Sequence, residues 1–355
     1  MDQQDRELYG LQMLRAIAAS GVVIRHTLDM SDGSEAGRFS PVWMATFGAA
    51  GVDLFFVISG FIMVYVSFPP GRAADTPGRF MIKRARRIFP LYWICSAGIL
   101  AISLVGFLKH KNIGAFSIFN SIFLLPGDKL IFVAWTLSYE MYFYVAFAIC
   151  LIFGKLIQTS ISTVLLMICG IVLGRWIQDS SFSDFISSPI VLEFCFGIAI
   201  ALLFISRSKW EYPPALGALG FFLIIVAPIF VSHPGDTAIL RVIAWGLPAT
   251  LIVGAFLKTK RPRSKAGRAV ILLGDASYAI YLTHIFVMLG YGWLIKATFV
   301  GGVSQVSFAP MIICLCLVVG VLTHLYVEKP ILELVRKVTI LQRRPPPLEA
   351  GSLPR

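Results

Sequence analysis

The stretch "FGAAGVDLFFVISGFIM", Phe47 to Met63, runs for seventeen residues with a single charged side chain, Asp53. It belongs to an apolar run over 47–67. At 1.5 Å per residue such a run crosses a hydrocarbon core of about 30 Å as one helix. A carboxylate inside it costs a few kcal/mol even on mild scales, so it reads as functional. Nine further runs share this character, near 11–29, 88–107, 131–153, 157–177, 189–206, 215–232, 240–257, 270–293 and 307–327. The apolar segment 113–125 (IGAFSIFNSIFLL) is too short to span and reads as re-entrant or interfacial. The composition agrees: 57% of residues are hydrophobic and 14% charged, against about 25% charged in soluble domains. The fold class expected is all-α, a polytopic membrane protein of about ten transmembrane helices. Residues 1–340 are expected to form a single membrane-embedded domain and 341–355 a disordered cytoplasmic tail. Met1 to Gly10 is polar and partly acidic, unlike a cleavable leader, so the first span is expected to persist.

Basic residues set the orientation. Alternate loops and the two terminal segments hold 22 of the 31 Lys and Arg residues, and the opposite loops hold seven. The positive-inside rule then places both termini in the cytoplasm of a multi-pass plasma membrane protein, expected in a bacterial inner membrane. The net charge of +12 is mostly this topology signal and gives no reason to expect a nucleic-acid partner. The six cysteines all fall in the apolar runs without disulfide or zinc spacing, so they read as buried packing and no metal site is expected.

Depth along the spans sorts the charged residues. Arg15 and His26 in "LRAIAASGVVIRH" are eleven residues apart, close to three helical turns, and so share a face. Counted from the outer surface, His26 lies about 8 Å deep, Asp53 about 9 Å, His284 about 9 Å and Glu140 about 13 Å. An imidazole and a carboxylate at one depth can pair, and His26 is expected to pair with Asp53. Blander readings stand beside this one. Arg25 can pair with Asp29 one turn on. His324 reads as an interfacial structural residue, and His110 and His233 as loop residues. The run "KRARR" (Lys83 to Arg87) is either a topology and lipid determinant or a cradle for phosphate.

Taken together, these elements resemble the acyltransferase-3 family of membrane O-acyltransferases, in particular its exopolysaccharide acetyltransferase branch. The resemblance rests on Arg15 and His26 at their spacing, "GVDLFFVISGFIM", the basic run before "RIFPLYW", "WTLSYEMYFY" (Trp135 to Tyr144), "SYAIYLTH" (Ser277 to His284) and "EKP" (Glu328 to Pro330). It implies acetyl-CoA, or another acyl-CoA, as a cytoplasmic donor substrate, with no permanently bound cofactor. The implied acceptor is a hydroxyl of an extracytoplasmic carbohydrate or lipid-linked glycan. Arg15, Lys83, Arg84 and Arg87 would hold the donor, with Lys83 standing where the family often carries arginine. His26 would act as base, oriented by Asp53, with Glu140 completing the catalytic group. His284, Tyr139 and Tyr281 would bind the acceptor or steady developing charge. Membrane lipids are expected partners, and a homodimer or a polysaccharide-synthesis complex stays open. The alternative class is a transporter of a sugar or anionic metabolite, which would also carry ionisable residues at mid-membrane.

Overall fold

The computed structural model describes residues 8–31, 42–108, 113–177, 181–207, 210–227, 239–298 and 308–342. Among the described residues there is no β-strand. The helices are α1 (Tyr9–Ser31), α2 (Val42–Ser67), α3 (Pro77–Leu104), α4 (Ala115–Phe123), α5 (Trp135–Cys150), α6 (Leu156–Trp176), α7 (Ser181–Ile186) and α8 (Leu192–Ser206). They continue with α9 (Pro214–Val226), α10 (Ile239–Arg241), α11 (Leu247–Phe256), α12 (Lys265–Asp275), α13 (Ser277–Thr298), α14 (Ala309–Thr323) and α15 (Lys329–Gln342). Two π-helical turns, Val242–Gly246 and His324–Glu328, join α10 to α11 and α14 to α15.

Helices cover the described parts of all ten apolar runs. Among the described residues, seven helices are long and apolar enough to cross a membrane, and α12 with α13 makes an eighth if that bent pair is one span. The charged α1 and the thirteen-residue α9 are not among the seven. The run expected as one helix over 270–293 is broken instead, with a 76° bend between α12 and α13. The physical reason is a change of pattern. α12 is two-faced, carrying Lys265, Arg268 and Asp275 along one side, whereas α13 is apolar around most of its girth. Ser264 starts α12 by accepting the Gly267 N–H at 3.0 Å. The short segment at 113–125 forms α4, which exposes Phe116, Phe119 and Phe123 and ends on Leu124 in the left-handed region.

α1 and α2 lie at the centre of the bundle. Gly51 brings them together: a Cβ there would stand 2.5 Å from the Ala18 carbonyl oxygen. Gly197 does the same for α8 against α2, where a Cβ would meet the Val57 carbonyl at 2.2 Å. Helices in lipid gain little from hydrophobic sorting, so such close backbone approach is how they hold together. The main core threads α2, α3, α5, α8, α11 and α13 with fully buried Phe61, Phe80, Phe143, Phe194 and Trp245. At the periphery α6 turns Ile157, Ile161, Leu165 and Val172 outward. Cys169 and Cys314 also face outward, contrary to the expectation of burial, while Cys95, Cys150, Cys195 and Cys316 are buried. Outward apolar side chains carry no penalty where the surroundings are lipid. His110, His233 and the tail from residue 343 lie outside the described residues.

Candidate active site

Two cavities meet inside the bundle. The first is lined by three cations, Arg15, Arg84 and Arg87, and one carboxylate, Glu140. The helical period explains the pair on α3: Arg84 and Arg87 are three residues apart and share a face. Lys83, a third of a turn away, does not line the cavity. It is exposed and pairs with Asp75 at 2.7 Å, so the expected place for it beside the two arginines is corrected. Arg84 lies over the rings of Phe80 and Tyr144, at 5.5 and 6.0 Å, and its Nε is buried without a hydrogen-bond partner. Buried donors left unsatisfied are costly, so an acceptor atom is wanted there. Arg15 Nε donates to Ser277 Oγ at 3.1 Å. Glu140 Oε1 accepts from Ser59 Oγ at 3.0 Å and from the Tyr144 hydroxyl. Elsewhere the wall of this basic cavity is mostly apolar, with Phe55, Ile58, Ile62 and Met63 alongside Thr136, Tyr278 and Tyr281.

The second cavity is lined by Arg25, His26 and Asp29 from α1, together with Trp135, Arg241 and Tyr281. Arg25 pairs with Asp29 at 2.8 Å, as the one-turn spacing allows. Val52 and Tyr281 line both cavities, so the partition between them is about one side chain thick. Tyr281 is pinned there: its hydroxyl donates to the Val133 carbonyl at 2.7 Å and lies 2.7 Å from Thr136 Oγ1. The same-face reading of α1 holds in consequence, with Arg15 in one cavity and His26 in the other.

The expected pairing of His26 with Asp53 is not what the structure shows. His26 Nδ1 lies 2.9 Å from His284 Nε2, and the ring is flanked edge-on by Phe132 at 5.2 Å. Asp53 is fully buried and grips Arg241 through two bonds, Nε to Oδ1 at 3.0 Å and Nη2 to Oδ2 at 2.7 Å. Arg241 also lies over Trp245 at 4.9 Å, and Glu193 is buried beside the pair. Gly48 meets α1 at Gly21 and Arg25, and Gly51 meets it at Ala18 and Val22, so along this pair Asp53 falls nearer Ala18 than His26 and the depth count does not bring the two together. Gly51 faces α1 and Val52 faces the cavities, so Asp53, the next step of 100°, points away toward α8 and α10.

Other expected site residues divide in the same way. Glu140 lines the basic cavity and not the one that holds His26. His284 is fully buried and lines neither cavity, so it has no surface to offer an acceptor. Tyr139 also lines neither. It stacks on Phe185 at 4.2 Å and meets Trp135 edge-on, as a core residue. His324 pairs with Glu328 at 2.7 Å. Sequence reasoning passed over Ser59, Tyr144, Glu193, Arg241 and Ser277. Glu193 carried a usable signal, a lone carboxylate in an apolar run like Asp53, and Arg241 was counted as a loop cation. Ser59, Tyr144 and Ser277 lie inside the motifs quoted above, which assign them no role of their own.

This is a membrane-helix bundle whose two polar chambers are separated by a thin partition, one rich in arginine and one holding a histidine. The chain belongs to the family described as "Acyltransferase domain", which matches residues 8–325. Among similar proteins, the exopolysaccharide production protein ExoZ of Rhizobium meliloti is 29% identical over 307 residues, 81% of this chain and 90% of its own length. Nodulation protein 10 of Rhizobium leguminosarum bv. viciae is 23% identical, covering 79% of this chain and 84% of its own. The acyltransferase MdmB of Streptomyces mycarofaciens is 23% identical over 88% of each chain. No solved structure matches the chain significantly.

Proposed function

We propose that this acyltransferase moves an acyl group, acetyl in the first instance, from cytoplasmic acyl-CoA to a hydroxyl of an extracytoplasmic or lipid-linked carbohydrate. The observation that carries the reading is the shared partition: Arg15, Arg84 and Arg87 on one side of Val52 and Tyr281, His26 on the other. Arginines grip phosphate with charge-assisted hydrogen bonds, and the apolar wall around Phe55 and Ile62 suits a pantetheine arm and acyl chain. The similarity to an exopolysaccharide production protein supports a glycan acceptor. In this reading ten helical crossings put both termini in the cytoplasm, with 1–340 as one catalytic unit in the bacterial inner membrane.

Chemically, a sugar hydroxyl is a poor nucleophile at neutral pH and needs a base as it attacks the thioester carbonyl. His26 takes the hydroxyl proton, the hydroxyl oxygen bonds to the acyl carbon, the carbon–sulfur bond breaks, and the electron pair leaves on the CoA sulfur. The proton held by His26 then neutralises the thiolate. Tyr281 stands in the partition with its one O–H given to the Val133 carbonyl, so it shapes the wall between donor and acceptor. Arg15, held by Ser277, steadies negative charge on the donor side.

The test is purified protein with acetyl-CoA and a glycan fraction, followed by free-thiol release and by mass spectrometry of the glycan. Wild type is expected to release thiol and add acetyl groups. His26→Ala is expected to bind acetyl-CoA yet lose about 10² to 10⁴ in rate. A folded His26→Ala protein with wild-type transfer would remove His26 from the chemistry. Substrate uptake into vesicles without thiol release would favour a transporter.

A further inference from the structure

The partner of His26 is another imidazole, and the geometry fixes which nitrogen of each ring carries hydrogen. His284 Nδ1 lies 3.2 Å from the Ile280 carbonyl oxygen. A carbonyl only accepts, so His284 Nδ1 carries the hydrogen and, in the neutral ring, Nε2 is a lone pair. That lone pair faces His26 Nδ1 at 2.9 Å. His26 Nδ1 is therefore the donor, and Nε2 is its bare nitrogen. The two ring planes differ by 2° with centroids 5.1 Å apart. That separation is what the N to N distance plus two ring radii gives, so the rings lie edge to edge in one plane, as a directed hydrogen bond requires.

We propose that His284 is a positioning residue that fixes the Nδ1–H tautomer of His26, leaving Nε2 as the base toward the acceptor cavity. The chain of groups is carbonyl, imidazole, imidazole, cavity. Among the described residues no carboxylate bonds either ring: Asp53 is committed to Arg241, and Asp29, in the same cavity as His26, pairs with Arg25. When His26 Nε2 accepts the hydroxyl proton, its Nδ1–H becomes a stronger donor to His284 Nε2. The new charge is then spread over a pair whose far end rests on the Ile280 carbonyl. Burial of His284 excludes water from competing for that bond. The arrangement does for tautomer and orientation what a carboxylate does in a serine-hydrolase triad, with a neutral partner in its place.

This inference rests on the reading of His26 as base, and its test separates the two. In protein labelled with ¹⁵N at histidine, ring-nitrogen NMR of wild type is expected to show His26 protonated at Nδ1. The measurement needs no turnover. His284→Leu removes the acceptor, and His284→Gln keeps a carbonyl oxygen at about the same reach. His284→Leu is expected to lower kcat about 10²-fold or more with KM for both substrates little changed. His284→Gln is expected to recover most of that loss. His26 protonated at Nε2 in wild type would overturn the proposal even if His284→Leu fails to fold. So would His284→Leu with wild-type kcat, or with a raised acceptor KM alone, which would mark an acceptor contact. If wild type transfers no acyl group but shows the Nδ1–H tautomer, the assigned activity fails and the tautomer assignment stands.

Discussion

Removing Arg241 should damage the protein more than neutralising Asp53, and the structure says why. The pair is nearly excluded from solvent, with side-chain exposures of 5% for Arg241 and 0% for Asp53. Arg241→Met leaves two buried carboxyls, Asp53 and Glu193, without a cation. Stripping one partner from a buried ion pair costs about 3–5 kcal/mol. Asp53→Asn keeps an amide oxygen for Nε and leaves Glu193 beside the guanidinium, so the loss is that of a charged hydrogen bond, about 1–3 kcal/mol. The double replacement Asp53→Leu with Arg241→Met removes both ends and should recover part of the single-variant loss, as buried pairs replaced by apolar groups often do. Thermal melting of detergent-purified protein, followed by size-exclusion chromatography, gives the order: wild type, then Asp53→Asn, then Arg241→Met, with the double variant above the last. Transfer per folded molecule should stay near wild type for Asp53→Asn, because Asp53 does not touch His26. An Asp53→Asn protein that melts like wild type but loses about 10²-fold in kcat would refute this reasoning and return Asp53 to the chemistry.

Arg84→Ala and Arg87→Ala should each weaken acetyl-CoA binding by about 1–3 kcal/mol, whereas Lys83→Ala, facing outward, should barely change it; isothermal titration with acetyl-CoA compares the three. A truncated acetyl-pantetheine donor should lose little from either arginine replacement, and equal losses for both donors would assign those arginines to lipid contact. Val52→Phe thickens the partition and should stop transfer while acetyl-CoA still binds, as seen by comparing product formation with donor binding. For orientation, Ala74→Cys and Ser352→Cys should resist membrane-impermeant thiol reagents in intact cells and react after permeabilisation; labelling of both in intact cells would reverse the topology.

Much of this protein is written along the chain. Apolar runs fix where helices form because lipid leaves the backbone no partners but its own, and that constraint is local. The eleven-residue interval from Arg15 to His26 likewise determines that both share a face, since a single helix has one period. Arg84 and Arg87 converge on one cavity for the same reason. What the chain could not determine is the azimuth of one helix against another. Counting residues gives Asp53 and His26 one depth, yet Gly48 and Gly51 seat α2 on α1 at Gly21 and Ala18, in a register and rotation that turn Asp53 toward Arg241. His284, read as an acceptor ligand, became the partner of His26 once α13 was docked behind α1. The thin wall of Val52 and Tyr281 also exists only in the assembled bundle. Rise per residue is what sequence counts; pairing is set by the register, rotation and close packing of one helix on another, which only the tertiary structure decides.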